Sequence, residues 1–128
     1  MAAKRPQESQ KIASPRRGDI YLLNFDPTLG SEIQKTRAAL VIQNDISNRH
    51  SPITIVAAMT TKYGDPPYPT EVAMLPDESG LSRDSAALLN QIRAVDRQRL
   101  VKRIGRADER TMRRVDRAIE ISLGLVRF

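Results

Sequence analysis

The chain contains no cysteine and no tryptophan, and it has a single histidine, His50. Without cysteine there is no disulfide framework, no Cys-ligated zinc and no thiol nucleophile. That composition fits a reducing compartment. One histidine excludes a His–His acid/base pair. Aromatic residues make up only 4% of the chain, as three Tyr and two Phe, which is little for a stacking platform that binds single strands. No apolar run approaches the roughly 18 to 20 residues of a membrane span. Met1 to Pro15 lacks the apolar centre of a secretory signal, so a cytoplasmic location is expected. Also missing are a G-x-x-x-x-G-K-[ST] phosphate loop and a G-x-S-x-G nucleophile elbow. The acids Asp65, Asp77, Glu78 and Asp84 fall in expected loops, where carboxylates mostly serve solubility. No carboxylate spacing implies a metal, and neither metal nor cofactor is expected.

What is present is charge. The 128 residues carry a net charge of +6, with a pI near 10.2, and suffice for one domain with one core. Residues 1–17 sum to +4, residues 18–92 to −4 and residues 93–117 to +6. Basic character therefore sits at the entry and in the C-terminal quarter. Anionic partners are favoured, nucleic acid foremost, although arginine-rich faces are also common on soluble proteins.

Residues 1–15 are polar and without period, and read as a flexible basic tail; a single domain is expected over 16–128. Gly18 to Phe25 places Ile20, Leu22 and Asn24 on one side and Tyr21, Leu23 and Phe25 on the other, as a strand does. Asp26-Pro27 ends it. Thr28 to Thr36 is a polar connection, and Arg37 to Asn44 resumes an apolar strand. Asn44-Asp45 and Asn48 to Pro52 read as a turn region. Ile53 to Thr60 is a β-branched central strand, and Tyr63 to Pro69 a loop. Thr70 to Leu75 is a short strand and Pro76 to Asp84 a turn-rich link. Ser85 to Asn90 and Gln91 to Val95 form one strand, bent near Asn90. Asp96 to Arg99 reads as a helical turn and Leu100 to Arg106 as a strand. Asp108 N-caps a helix of about 18 residues, whose apolar face is Met112, Val115, Ile119, Leu123 and Val126. The expected class is mainly β with helices: a small antiparallel β-barrel with an amphipathic C-terminal helix.

Chemistry concentrates around residues 28–37. Ser31, Glu32, Gln34, Lys35 and Thr36 lead to Arg37, at the start of a strand. Thr60 closes the next strand. In an antiparallel sheet the start of one strand lies beside the end of its neighbour, so Arg37 and Thr60 can meet at one rim. A guanidinium and a hydroxyl both suit a phosphodiester. An ordinary ion pair of Arg37 with an acid such as Glu32 accounts for the same residues.

Several blocks, taken in order, resemble the MazF/PemK toxins of bacterial toxin–antitoxin modules. They are Arg17-Gly18-Asp19-Ile20-Tyr21, Asp26-Pro27 through Gly30-Ser31-Glu32, Leu40 to Asp45, Asn48-Arg49-His50-Ser51-Pro52, Ile55-Val56-Ala57 and Gln91-Ile92-Arg93. The resemblance covers about residues 16–128. It implies an SH3-like barrel, a homodimer and metal-independent, sequence-specific cleavage of single-stranded RNA. The RNA 2′-OH would attack its own phosphate, leaving a 2′,3′-cyclic phosphate and a 5′-OH. The family's catalytic Arg and Thr fall on Arg37 and Thr60. Ser31 and Glu32 match the loop that positions RNA, with Gln34 and Lys35 beside them, and Asn90 and Gln91 match a stretch that reads bases. An acidic antitoxin segment is the implied inhibitory partner. A guanidinium stays protonated far above neutral pH and is a poor base, so Arg37 is expected to stabilise the phosphate or donate a proton. Glu32 is the candidate base, with transfer through the phosphate as a rival. Histidines titrate near neutrality, but His50 sits in what resembles a structural turn. Relatives commonly show Gly-Gly before the Arg and Pro after it, where this chain has Gln34-Lys35-Thr36-Arg37-Ala38. Two other functions are compatible with parts of this pattern. A gyrase-binding toxin of the CcdB type relies on a C-terminal Trp, which is missing here, and a non-catalytic RNA-binding module needs exposed aromatics.

Overall fold

The computed structural model describes residues 14–25 and 36–127. Residues 1–13 of the expected tail and residues 28–35 of the expected polar connection lie outside the described residues, Ser31, Glu32, Gln34 and Lys35 among them.

Six strands form one antiparallel sheet: β1 (Asp19–Asn24), β2 (Thr36–Val41), β3 (Ile53–Thr60), β4 (Glu71–Met74), β5 (Ser85–Asp96) and β6 (Leu100–Arg106). Their spatial order is β4-β5-β3-β2-β1-β6. Three α-helical segments, α1 (Asp45–His50), α2 (Pro76–Ser79) and α3 (Glu109–Ser122), and a 3₁₀ turn at Arg97–Arg99 complete the described fold. The expected mainly β class with a C-terminal helix holds. Strand pairing does not close the sheet into a barrel, since β4 and β6 lie at its two ends with no ladder between them. Helix α2 contacts both end strands instead. There Gly105 of β6 lies so near the Ser79 carbonyl that a Cβ would collide with it. Glycine is needed for that close approach of two backbones.

Alternation along the strands divides the apolar residues between two clusters. Ile20, Leu40, Ala57, Met59, Met74 and Leu89 pack together with Val115 and Ala118 of α3. Leu23, Ala39, Val41, Val56, Val95 and Leu100 form the second cluster, flanked by Tyr21 and Phe25. The β1 side assignment made from the alternation is the one observed.

Two expected links are helical. Asn44–Pro52 contains α1, too short to carry an amphipathic period. Its stability comes from Asn44, whose side chain caps the Ser47 N–H at 2.8 Å, and from the buried Asn48. The Asn48 Nδ2 donates to the Gln43 carbonyl at 3.0 Å and to Asp45 Oδ1 at 3.3 Å. Its Oδ1 accepts from Gln43 Nε2 at 2.9 Å and from Thr54 Oγ1 at 2.8 Å. Pro76 opens α2 and Gly80, at φ 78°, ends it.

Asp108 caps α3 through the Thr111 N–H at 2.8 Å. The helix has 14 residues, fewer than the 18 expected. Gly124, at φ 75°, halts it: its N–H reaches the Ile121 carbonyl and the Leu125 N–H the Glu120 carbonyl, a Schellman ending. Leu123 is consequently exposed rather than on the buried face.

The Arg17-Gly18-Asp19 block is a structural hub. Arg17 donates to the Ile42 carbonyl and pairs with Asp116 of α3 at 2.7 Å. The Gly18 N–H reaches the Val41 carbonyl, and its own carbonyl accepts from Ala107. The buried Asp19 carboxylate pairs with Arg106 at 2.7 Å.

Candidate active site

Arg37 lies within the β1–β2 ladder, opposite Leu23, with Thr36 opposite Asn24. It therefore stands on a paired strand, as expected. On its other side the β2–β3 register pairs Ala39 with Ala58 and Leu40 with Ala57. Carried two residues further, that register sets Arg37 across from Thr60. Directly opposed residues project to the same side of a sheet, here the side of the second apolar cluster. Arg37 and Thr60 indeed line one pocket of about 300 Å³.

The chemistry of this pocket is one-sided. Among the described residues its wall supplies two cations, Arg37 and Lys62, and the hydroxyl side chains of Thr60, Thr61 and Ser85. No described carboxylate lines it. Arg37 Nη2 donates to the Met59 carbonyl at 3.3 Å. The guanidinium carbon lies 5.8 Å from the centre of the Phe25 ring, and that of Arg93 lies 5.1 Å from the same ring. The ring's negative face holds both cations and limits the swing of Arg37. No described carboxylate forms an ion pair with Arg37.

Thr60 is held by a small turn. Its Oγ1 accepts from the Lys62 N–H at 3.0 Å and donates to the Lys62 carbonyl at 3.3 Å. The N–H contact fixes the oxygen. The hydroxyl proton can then rotate from the carbonyl to an incoming acceptor without moving the oxygen.

Asn90 and Gln91 are exposed on β5, where its register against β3 breaks. Between the pairs Ala57↔Ile92 and Met59↔Ala87, β3 advances two residues and β5 five, which is the bend expected near Asn90. These two side chains do not line the pocket with Arg37 and Thr60. His50 belongs to α1, before the opposite end of β3. The seven steps from Ile53 to Thr60 span about 23 Å at a rise of about 3.3 Å per residue, which separates His50 from the pocket. Phe25 and Lys62 were not singled out from the sequence. Phe25 was legible as an aromatic on the Leu23 side of β1; Lys62 carried no signal beyond its charge.

Among the described residues no three His, Asp or Glu side chains group as metal ligands. No described helix is long and apolar enough to cross a membrane.

Fold and site together define a small, mainly β protein whose pocket groups cations and hydroxyls. The family model of PemK-like, MazF-like toxins of type II toxin–antitoxin systems matches residues 16–123, and the chain belongs to that family. It is 46% identical over 113 residues to the endoribonuclease EndoA of Bacillus subtilis, covering 88% of this chain and 97% of that one. It is 42% identical over 110 residues to the endoribonuclease MazF of Staphylococcus saprophyticus, covering 86% and 92%. Its fold matches a MazE–MazF crystal structure from Deinococcus radiodurans with a TM-score of 0.73 at 27% identity, covering 90% of this chain and all of that chain.

Proposed function

We propose that this chain is the toxin of a type II toxin–antitoxin module, an endoribonuclease that cuts single-stranded RNA at the pocket shared by Arg37 and Thr60. The observation that carries the reading is the meeting of Arg37 and Thr60 in a pocket with cations and hydroxyls but no described carboxylate. Its relatives in B. subtilis and S. saprophyticus are endoribonucleases by name. The relative from D. radiodurans was solved as a MazE–MazF pair, and a cognate antitoxin is the partner here, with an acidic segment matching the basic charge. The working form is a homodimer in the cytoplasm.

The reaction is an internal phosphoryl transfer. The ribose 2′-oxygen attacks the adjacent phosphorus, the P–O5′ bond breaks, and a 2′,3′-cyclic phosphate and a 5′-OH result. Negative charge builds on the non-bridging oxygens as the attack proceeds. Arg37 meets that charge from a paired strand, restrained by the Met59 carbonyl and the Phe25 ring. Preorganised donors of this kind lose little in reorganisation at the moment of reaction. Thr60 turns its hydroxyl proton from the Lys62 carbonyl to a phosphate oxygen. The 2′-OH proton passes to Glu32, and the departing 5′-oxygen takes a proton from the Arg37 guanidinium, which regains one from solvent. Ser31, Gln34 and Lys35 hold the RNA entering the pocket, and Asn90 and Gln91, on the neighbouring strand, read bases. Because the nucleophile is part of the substrate and Arg37 supplies positive charge, the reaction runs without a metal.

The test is cleavage of a long RNA in EDTA by the wild type, Arg37→Ala and Thr60→Ala. The wild type cuts, and each variant loses about 100-fold or more, the usual scale for removing a transition-state donor. Undiminished cutting by Arg37→Ala refutes the site. Loss of wild-type cutting in EDTA refutes the metal-free mechanism.

A further inference from the structure

We propose that Lys62 is a second cationic residue of the cleavage site and contacts the scissile phosphate beside Arg37. This rests on the ribonuclease reading above. In-line attack on a phosphodiester produces a transition state with close to two negative charges on its non-bridging oxygens. One guanidinium, with an Nη already donating to a backbone carbonyl at 3.3 Å, offsets only part of that charge. Among the described residues, the pocket wall contains one other cation, Lys62.

Two features bind Lys62 to the site more closely than to the open surface. Its own N–H and carbonyl form the clasp on Thr60 Oγ1, at 3.0 and 3.3 Å. The lysine stem therefore starts at a fixed place relative to the hydroxyl that touches the phosphate. Its ammonium also has no partner among the described residues. Lys62 is exposed and forms no ion pair among the described residues. By contrast, Arg17, Arg106 and Arg114 are engaged with Asp116, Asp19 and Glu78. A lysine carries three rotatable donors on a flexible four-carbon stem. It can follow the phosphate oxygens as the trigonal bipyramid forms, while the ring-restrained Arg37 stays in place. The arrangement puts Arg37 across the sheet from Thr60 and Lys62 two residues beyond it, so the phosphate is approached from two directions.

The test uses the purified full chain, with Lys62→Met, Lys62→Arg and Arg37→Ala assayed in parallel. Single-turnover cutting of a long RNA with mapped sites is followed over a range of salt concentrations. Lys62→Met is expected to cut about 10- to 100-fold more slowly, and Lys62→Arg to stay within about threefold of the wild type, since charge and reach are retained. The log–log salt dependence of kcat/KM should flatten by about 0.7 in Lys62→Met, the loss of one contact to a single strand. Melting should not change, because the turn is made by backbone. Wild-type cutting by Lys62→Met beside a dead Arg37→Ala overturns the role of Lys62 and leaves the ribonuclease reading intact. A slower Lys62→Met with an unaltered salt slope overturns the contact as well. Wild-type cutting by Arg37→Ala removes the reading, and Lys62 falls with it.

Discussion

Asn48 offers the sharpest test of how this fold is held. Its amide is buried, and both of its donor hydrogens and both of its acceptor positions are used. Replacement by leucine keeps the branched outline, adds some volume and removes all four bonds. Not all of them weigh the same. Gln43 and Asp45 reach solvent, and Gln43 Nε2 still donates to the Ile53 carbonyl at 2.9 Å, so water and that bond recover much of the loss there. Thr54 differs: it is fully buried, and Asn48 Oδ1 is its hydroxyl's acceptor at 2.8 Å. Stranding that hydroxyl costs about 1 to 3 kcal/mol, and the net value of the other bonds adds about 1 kcal/mol. The expected loss for Asn48→Leu is about 2 to 4 kcal/mol, a large part of the roughly 5 to 15 kcal/mol available to a domain. At about 4 °C per kcal/mol for a domain of this size, Tm falls by about 8 to 16 °C. Calorimetry or thermal circular dichroism measures it. Adding Thr54→Val should recover about 1 to 2 kcal/mol, because removing both buried polar partners is far cheaper than removing one. A fall of less than about 2 °C in Asn48→Leu, or a double variant no better than the single one, refutes the argument.

Two further outcomes follow from the same structure. Gly105→Ala brings a methyl against the Ser79 carbonyl, a backbone group that yields little. About 1 to 3 kcal/mol of stability should be lost, read by urea denaturation, and an unaltered midpoint would show that α2 moves freely from β6. Asp45 is held below the usual carboxylate range, chiefly by the Arg17 N–H that its Oδ1 accepts at 2.7 Å. A depressed folded-state pKa contributes stability above the unfolded value near 3.8 and loses it as pH falls through the lower folded value. Asp45→Asn should therefore lessen the acid dependence of unfolding below about pH 4, and identical acid slopes for the two proteins would contradict it.

Much of the local structure was legible along the chain. Ile53 to Thr60 is a strand with the bounds its β-branched run implies. Asp108 caps α3, Arg97–Arg99 forms the helical turn, and β5 bends near Asn90. Each depends on neighbours within a few residues. Helix α1 is not legible in the chain because it has no apolar period; it is secured by Asn48 reaching Thr54 on another element. Gly124 ends α3 although the apolar spacing runs on through Leu123 and Val126.

The candidate site divides the same way. The chain itself determined that a charged segment runs into a central strand at Arg37, that a second strand ends at Thr60, and that cysteine and paired-histidine chemistry is excluded. The order of its motifs pointed to the family to which it belongs. Register decided the rest. A shift of β2 against β3 by one residue would turn Arg37 and Thr60 to opposite sides, and such an offset is selected by burial of Ala39, Val41 and Val56, not by any local preference. The ring of Phe25 beside Arg37 and Arg93 is reached only once β1, β2, β3 and β5 lie side by side, whereas Lys62 is held beside Thr60 by a local turn. Tertiary structure decided which of the chain's many cations line one pocket with Thr60, because that is set by packing between residues far apart in the chain.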